Sequence, residues 1–349
     1  MTRIVCYLLF SSLLVSCGDR PDAYEALWQR YTQSLSRTLD RQAPVPAPAA
    51  LPALPSAAAI TFPVDSEQIN LLEFLRLRRC ALGQTLAEKN SILGRHGDNA
   101  SALLFALRFL DEVDACIEIL DDSEAELKAS LLSAKRQKRK QLPALIFNAL
   151  IAGPEFRELW QAPAQHRQPY PPEQRDVAVT ALAHWRVLQQ QWLAGLDYHR
   201  YRELIPILAD IRRGLGGEWL RFQRQSNSGL KQANALLEQR LNGRQLCLTG
   251  SANENARIFA QVLHKLFIAG IQAEASLANR HQQALLTELE GLSGELAVQL
   301  ALPSAYQAWQ KQLTERGEQF LKAFQRHVQL SGELLEQCGL SPSSTQDSR

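Results

Sequence analysis

The fold is decided by residues 70–120, NLLEFLRLRRCALGQTLAEKNSILGRHGDNASALLFALRFLDEVDACIEIL. Its first half puts Leu71, Leu72, Phe74, Leu75, Leu77, Leu82 and Leu86 on one wide apolar face at helical spacing, with Asp65 or Ser66 able to cap the start. Its second half repeats the pattern with Leu103, Leu104, Leu107, Leu110, Val113, Ile117 and Leu120 after the turn GRHGDN. Two long apolar faces joined by a polar, glycine-bearing turn make a helical hairpin. The same geometry brings two cysteines together. Cys80 lies 17 residues before a turn centre near residue 97 and Cys116 lies 19 after it. On antiparallel helices their heights then differ by about 3 Å, which a disulfide accommodates. Cys247 and Cys338 pair by elimination; the alternative for all four is small buried thiols.

Outward from the hairpin the helical period persists. Residues 20–40 set Tyr24, Leu27, Trp28, Tyr31, Leu35 and Leu39 on one face, with Asp22 as N-cap. After the hairpin, DDSEAELKASLLSAKRQKRK continues the second arm until Pro143 interrupts it. Its acidic-then-basic order suits the solvated end of a helix, while KRQKRK alternatively offers a contact for anionic lipid or cell-wall polymer. The proline-rich stretch 153–173 reads as an irregular connection and a possible sub-boundary. Ala178, Ala181, Leu182, Trp185, Leu188, Trp192 and Leu196 resume the period, followed by Tyr201, Leu204, Ile205, Leu208 and Ile211 up to the break at Gly214–Gly217. A second break is expected at Ser226–Gly229, then a short helix with Leu230, Leu236, Leu237 and Leu241. A long helix follows from about Asn253 to Glu290, ending near Gly291 and Gly294, and a last one runs from Pro303 to Gly339. Only RQLCLTG at 244–250 alternates like a strand, and it has nothing to pair with. The fold class is therefore all-α, an elongated bundle of antiparallel helices.

The N-terminus reads as an address. Arg3 precedes an uncharged run, Ile4–Ser16, too short to span a bilayer, and Leu14-Val15-Ser16-Cys17 matches the bacterial lipobox. Residues 1–16 are expected to be a signal peptide and Cys17 the lipidated first residue of the mature chain, with palmitate among its acyl groups. Gly18 replaces the aspartate that retains lipoproteins in the inner membrane, which favours the periplasmic face of the outer membrane, although Asp19 stands one place later. The layout that follows is a lipidated N-terminus and amphipathic helix at 17–42, an Ala/Pro-rich segment at 43–64, a helical domain at 65–340 and a disordered tail at 341–349. The segment 43–59 has five prolines and no charge. Two arrangements are open for it, an extended spacer reaching about 50 Å or an ordered strap across the body.

Charge and chemistry narrow the function classes. Thirty-eight Lys and Arg against 36 Asp and Glu give no basic excess for phosphate contacts, so no nucleic-acid partner is expected. The seven histidines lack H-x-x-x-H spacing, so neither a metal nor a cofactor is assigned. GLGG at 214–217 lacks the spacing and lysine of a phosphate loop. Trp185 and Trp192 share a face, as a core pair or a sugar-stacking platform. The candidate binding surface is Arg76, Arg79, Glu88, Asn90 and Ser91 around the hairpin; the competing reading is helix termination with solvated arginines.

Having reached LLEFLRL at 71–77, Cys80, Leu82, Lys89-Asn90, Ser91, Leu93 and Gly94, with QLCLTGSANENARIF at 245–259 as a second block, the chain resembles the bacterial lipoprotein family known as domain of unknown function 3080. The resemblance covers most of the mature chain and implies a lipid-anchored, mainly helical periplasmic protein, with no activity to carry over. Past the first block this chain has Arg95-His96-Gly97 where relatives often have Lys-Val. The reading is a periplasmic binding or scaffold module with no catalytic residue assigned, held to the membrane through Cys17 and meeting an envelope protein partner. The alternative is a periplasmic hydrolase using carboxylates such as Glu73, Glu88 or Asp111.

Overall fold

The computed structural model describes residues 22–47, 49–64, 77–91, 97–162 and 175–340. The predicted tail at 341–349, the signal and Cys17 lie outside them. The described residues are all-α, with no strand. The helices are α1 Ala23–Leu39, α2 Ala81–Asn90, α3 Asn99–Glu118, α4 Ala125–Leu150, α5 Pro154–Leu159, α6 Arg175–Ala194, α7 Leu204–Arg212 and α8 Gly216–Leu241. A long α9 joins Glu254–Val262, a π-helical stretch Leu263–Gln272 and Ala273–Ala297, and α10 is Ser304–Glu336. Their apolar faces meet in one continuous core.

Asp22 caps α1 as its position predicts, accepting from the Glu25 N–H at 2.7 Å. Tyr24, Trp28, Tyr31, Leu35 and Leu39 are buried, so α1 belongs to the body. It runs in the same direction as α8 and α10. Tyr24 stacks on Phe222 and Arg240 reaches the Leu39 carbonyl, while Asn234 reaches the Ala323 carbonyl. α9 runs the opposite way, with Gly270 beside Leu27 and Phe267 stacked on Tyr31.

The Ala/Pro segment is the strap, not the spacer. Ile60 is buried, Leu51, Leu54 and Phe62 pack on the core, and Asn148 pairs with both the N–H and the carbonyl of Phe62 at 2.8 and 2.9 Å. Arg157 donates to the Pro55 carbonyl at 2.7 Å.

Several local expectations are corrected. The first hairpin arm is not continuous at Cys80, which is extended between a 3-10 turn at Leu77–Arg79 and α2, and Cys80 is bonded to Cys116 with Cα atoms 5.5 Å apart. The second arm ends at Glu118, before α4. Pro143 does not interrupt α4. The hydrogen bond it removes costs roughly 3 kcal/mol, which burial of Leu142, Leu145, Ile146 and Phe147 around it offsets. Pro154 starts α5 as an N1 proline, inside the stretch expected to be irregular.

Ser226–Gly229 does not break α8 either. Ser226 Oγ donates to the Phe222 carbonyl at 2.9 Å and pairs with Tyr24 Oη at 2.8 Å. At Gly229 a Cβ would sit 2.2 Å from Trp28 Cε3, so the glycine serves the close approach of α1. Gly291 lies within α9 under the Arg186 guanidinium, 2.5 Å from where a Cβ would stand. RQLCLTG is a turn that buries Leu246 and Cys247, and Cys247 is bonded to Cys338 with Cα atoms 5.1 Å apart.

Candidate functional site

Of the hairpin surface named from the sequence, Arg79, Glu88, Asn90 and Ser91 are among the described residues. Arg76 and Glu73 lie outside the described residues. Arg79 donates to Glu124 at 2.6 Å and lies 3.8 Å from Asp121. Glu88 pairs with Arg108 at 2.5 Å and accepts from Gln84 at 3.1 Å. The hydrogen bond from Arg108 holds the Glu88 carboxyl below its ordinary range. Ser91 ends α2, its Oγ donating to the Glu88 carbonyl at 2.6 Å, and Asn90 is exposed beside it. These groups terminate helices and neutralise one another. Of the carboxylates named for the alternative reading, Glu88 is paired with Arg108 and Asp111 is exposed on α3.

The other sequence candidates divide between core and surface, with Arg136, Arg139 and Lys140 of KRQKRK exposed. Trp185 and Trp192 are fully buried with ring centroids 6.0 Å apart, a core pair rather than a sugar platform. Within KRQKRK, Lys135 is bonded to Asp114 at 2.6 Å and Lys138 is buried. Among the described residues no group of three or more His, Cys, Asp or Glu side chains is placed to hold a metal.

The structure instead assembles a groove that the sequence reading missed. One wall is α1, the facing wall is α8, and the strap edge at 42–46 is the third. Two adjoining hollows of about 460 and 430 Å³ share Thr32, Gln33 and Gln232. Together they run from Glu25 to Arg37, about 18 Å at 1.5 Å per residue. The strap is held over the groove by α8, with Gln232 Nε2 donating to the Ala43 carbonyl at 3.3 Å and Ser228 Oγ to the Pro46 carbonyl at 3.4 Å. Gln29 and Gln33 stand exposed one helical turn apart on α1, and Arg224 lines the same wall as Ser228. The glutamine amides and the serine hydroxyl can donate and accept hydrogen bonds, and the guanidinium donates only.

Below the groove, a buried polar chain fixes α1 in register. Asn234 Nδ2 donates to the Ala323 carbonyl, which leaves Asn234 Oδ1 to accept from His327 Nδ1 at 2.8 Å. His327 Nε2 then accepts from the Tyr31 hydroxyl at 2.7 Å, so the imidazole is neutral and fully used. Burial takes the His327 pKa down to about 3 and pushes the Tyr31 hydroxyl well up.

At the head of the groove, Asp22 accepts from Arg221 at 2.8 Å and from Gln225 at 2.5 Å. One family model spans most of both walls. The family model described as "Protein of unknown function (DUF3080)" matches residues 28–342. The chain belongs to that family. The match begins at Trp28, so it includes most of α1 and the whole strap as well as α8. No curated protein and no solved structure matches the chain. In this DUF3080 member the groove residues could have been flagged in the sequence only by their spacing, glutamines at i and i+4 on α1 and i and i+7 on α8.

Proposed function

We propose that this DUF3080 protein is a lipid-anchored helical binding module of the bacterial envelope, held at the periplasmic face of the outer membrane by acylated Cys17 and binding through the α1–α8 groove. The observation that carries the reading is that α1 does two jobs. It begins six residues after the lipobox cysteine, and it forms one wall of the groove. Two disulfides, Cys80–Cys116 and Cys247–Cys338, accord with an oxidising compartment. The groove supplies amide, hydroxyl and guanidinium groups, which fit an extended polar ligand or an envelope protein segment.

The test has two readouts in one bacterial strain. Metabolic labelling with an alkyne fatty acid marks the wild-type chain in the outer-membrane fraction, and Cys17→Ala abolishes the label and releases the chain. A photo-crosslinking residue at Gln33 yields a defined adduct in cells, and the same residue at Ser91 does not. Labelling that persists in the Cys17→Ala chain contradicts the anchor, and equal adducts from both positions contradict the groove.

A further inference from the structure

We propose that the flank of the body carrying the first turn of α1 is held against the bilayer and that Arg224 and Arg316 there meet anionic lipid headgroups. The inference rests on acylation of Cys17 and adds to it a distance, an orientation and a contact.

The distance follows from covalent reach. Cys17 and Asp22 are five residues apart, so however the intervening chain runs it spans at most about 18 Å. No later segment can lengthen this tether. The Ala/Pro stretch comes after α1 and is bonded to the body through Ala43, Pro46, Pro55 and Phe62. Nor can α1 swing out as a stalk, because Trp28, Tyr31, Leu35 and Leu39 are each no more than 4% exposed. The body therefore stands at the membrane, where an extended spacer would have allowed some 50 Å of clearance.

The contact follows from charge. Arg221 is neutralised by Asp22, which its guanidinium touches at 2.8 Å. Arg224, one turn further along α8, lines the hollow that also contains Glu25. Arg316 on α10 donates to the Ala50 carbonyl of the strap. Burial first, and then the like charge of Arg224, hold Arg316 below its ordinary pKa. Neither arginine makes an ion pair with a carboxylate among the described residues. Two neighbouring cations without a carboxylate, within tether reach of a membrane, complement the phosphates of an anionic leaflet.

The experiment uses the acylated full chain in vesicles of phosphatidylethanolamine and phosphatidylglycerol, 3:1, with a headgroup-borne quencher. A fluorophore is attached at Ala23→Cys, in the first turn of α1, or at Asn242→Cys, about 32 Å along α8 from Arg221. Quenching at residue 23 should exceed that at residue 242 by about fivefold. Inserting a flexible stretch of about twenty Gly/Ser residues after Arg20 should bring both to the lower level while flotation with the vesicles is kept. In the Arg224→Gln/Arg316→Gln chain, quenching at residue 23 should fall about twofold in these vesicles and stay unchanged in pure phosphatidylcholine. Flotation equal for wild type and Cys17→Ser, or absent from both, overturns the anchor and this inference with it. Flotation retained with equal quenching at the two positions overturns the orientation alone. No change in the double variant removes the headgroup contact.

Discussion

The α2–α3 surface and the α1–α8 groove are both built from polar side chains on helix faces, yet they differ in what those side chains already hold. On the hairpin, Arg79 is bonded to Glu124, Glu88 to Arg108 and Thr85 to Glu112. In the groove, α8 spends its hydrogen bonds on the strap, while Gln29 and Gln33 face solvent. A cluster of charges in a sequence therefore says little about binding until their partners are known, because oppositely charged neighbours consume one another.

The two regions also differ in what holds them. On the groove side, the Cys247–Cys338 bond ties the turn after α8 to the end of α10 across 91 residues, and the hairpin is closed by Cys80–Cys116, which spans 36. On the chain-entropy argument, replacing the first pair by serine costs about 4.6 kcal/mol and the second about 3.8 kcal/mol. Urea unfolding of the two double variants checks the order, and a larger loss from Cys80/Cys116 would reverse it. Trp28→Ala should follow with a loss of about 3–5 kcal/mol, because the indole packs directly on Gly229. A loss below about 1 kcal/mol in the same assay would mean that α1 is not a core element.

His327 gives a pH signature to the groove side alone. Its folded pKa of about 3 lies below the ordinary histidine value because burial disfavours the cation. The unfolded chain therefore binds a proton that the folded chain refuses. Stability is whole above about pH 6.5 and declines as pH falls from there toward 3, by about 1.4 kcal/mol per unit. The slope should be shallower by that amount in His327→Gln, measured by denaturant midpoints between pH 7 and 4. Glu88 behaves differently. Its lowered pKa means that the Arg108 contact stabilises at neutral pH and is lost only as pH falls through and below the usual carboxylate range. Glu88→Gln, at an exposed pair, should cost less than about 1 kcal/mol. Smallest of all, Gln29→Ala should leave stability within about 0.5 kcal/mol while weakening the adduct formed from the photo-crosslinking residue at position 33.

Much of this architecture is legible in the sequence because it is local. The α1 face from Tyr24 to Leu39, the Asp22 cap and the Cys80–Cys116 pairing all follow from helical period and rise. What is not legible depends on distant neighbours. Pro143 and Ser226–Gly229 carry local break signals that packing overrides, Gly229 because it makes room for an indole 201 residues earlier in the chain. The Ala/Pro segment has the composition of a spacer, and it is bound down by side chains far along the chain, Asn148, Arg157, Ser228, Gln232 and Arg316. The groove joins residues about 200 positions apart, and glutamine carries no motif of its own.

The central claim is that α1 is a wall of the folded body and not a tether outside it. Native-state hydrogen exchange, read helix by helix, tests it most directly. The amides of residues 28–39 should be protected to within about tenfold of those of residues 229–241 in α8, since both helices open only with the core. Exchange of α1 at nearly the free-chain rate, with α8 still protected, would contradict the account.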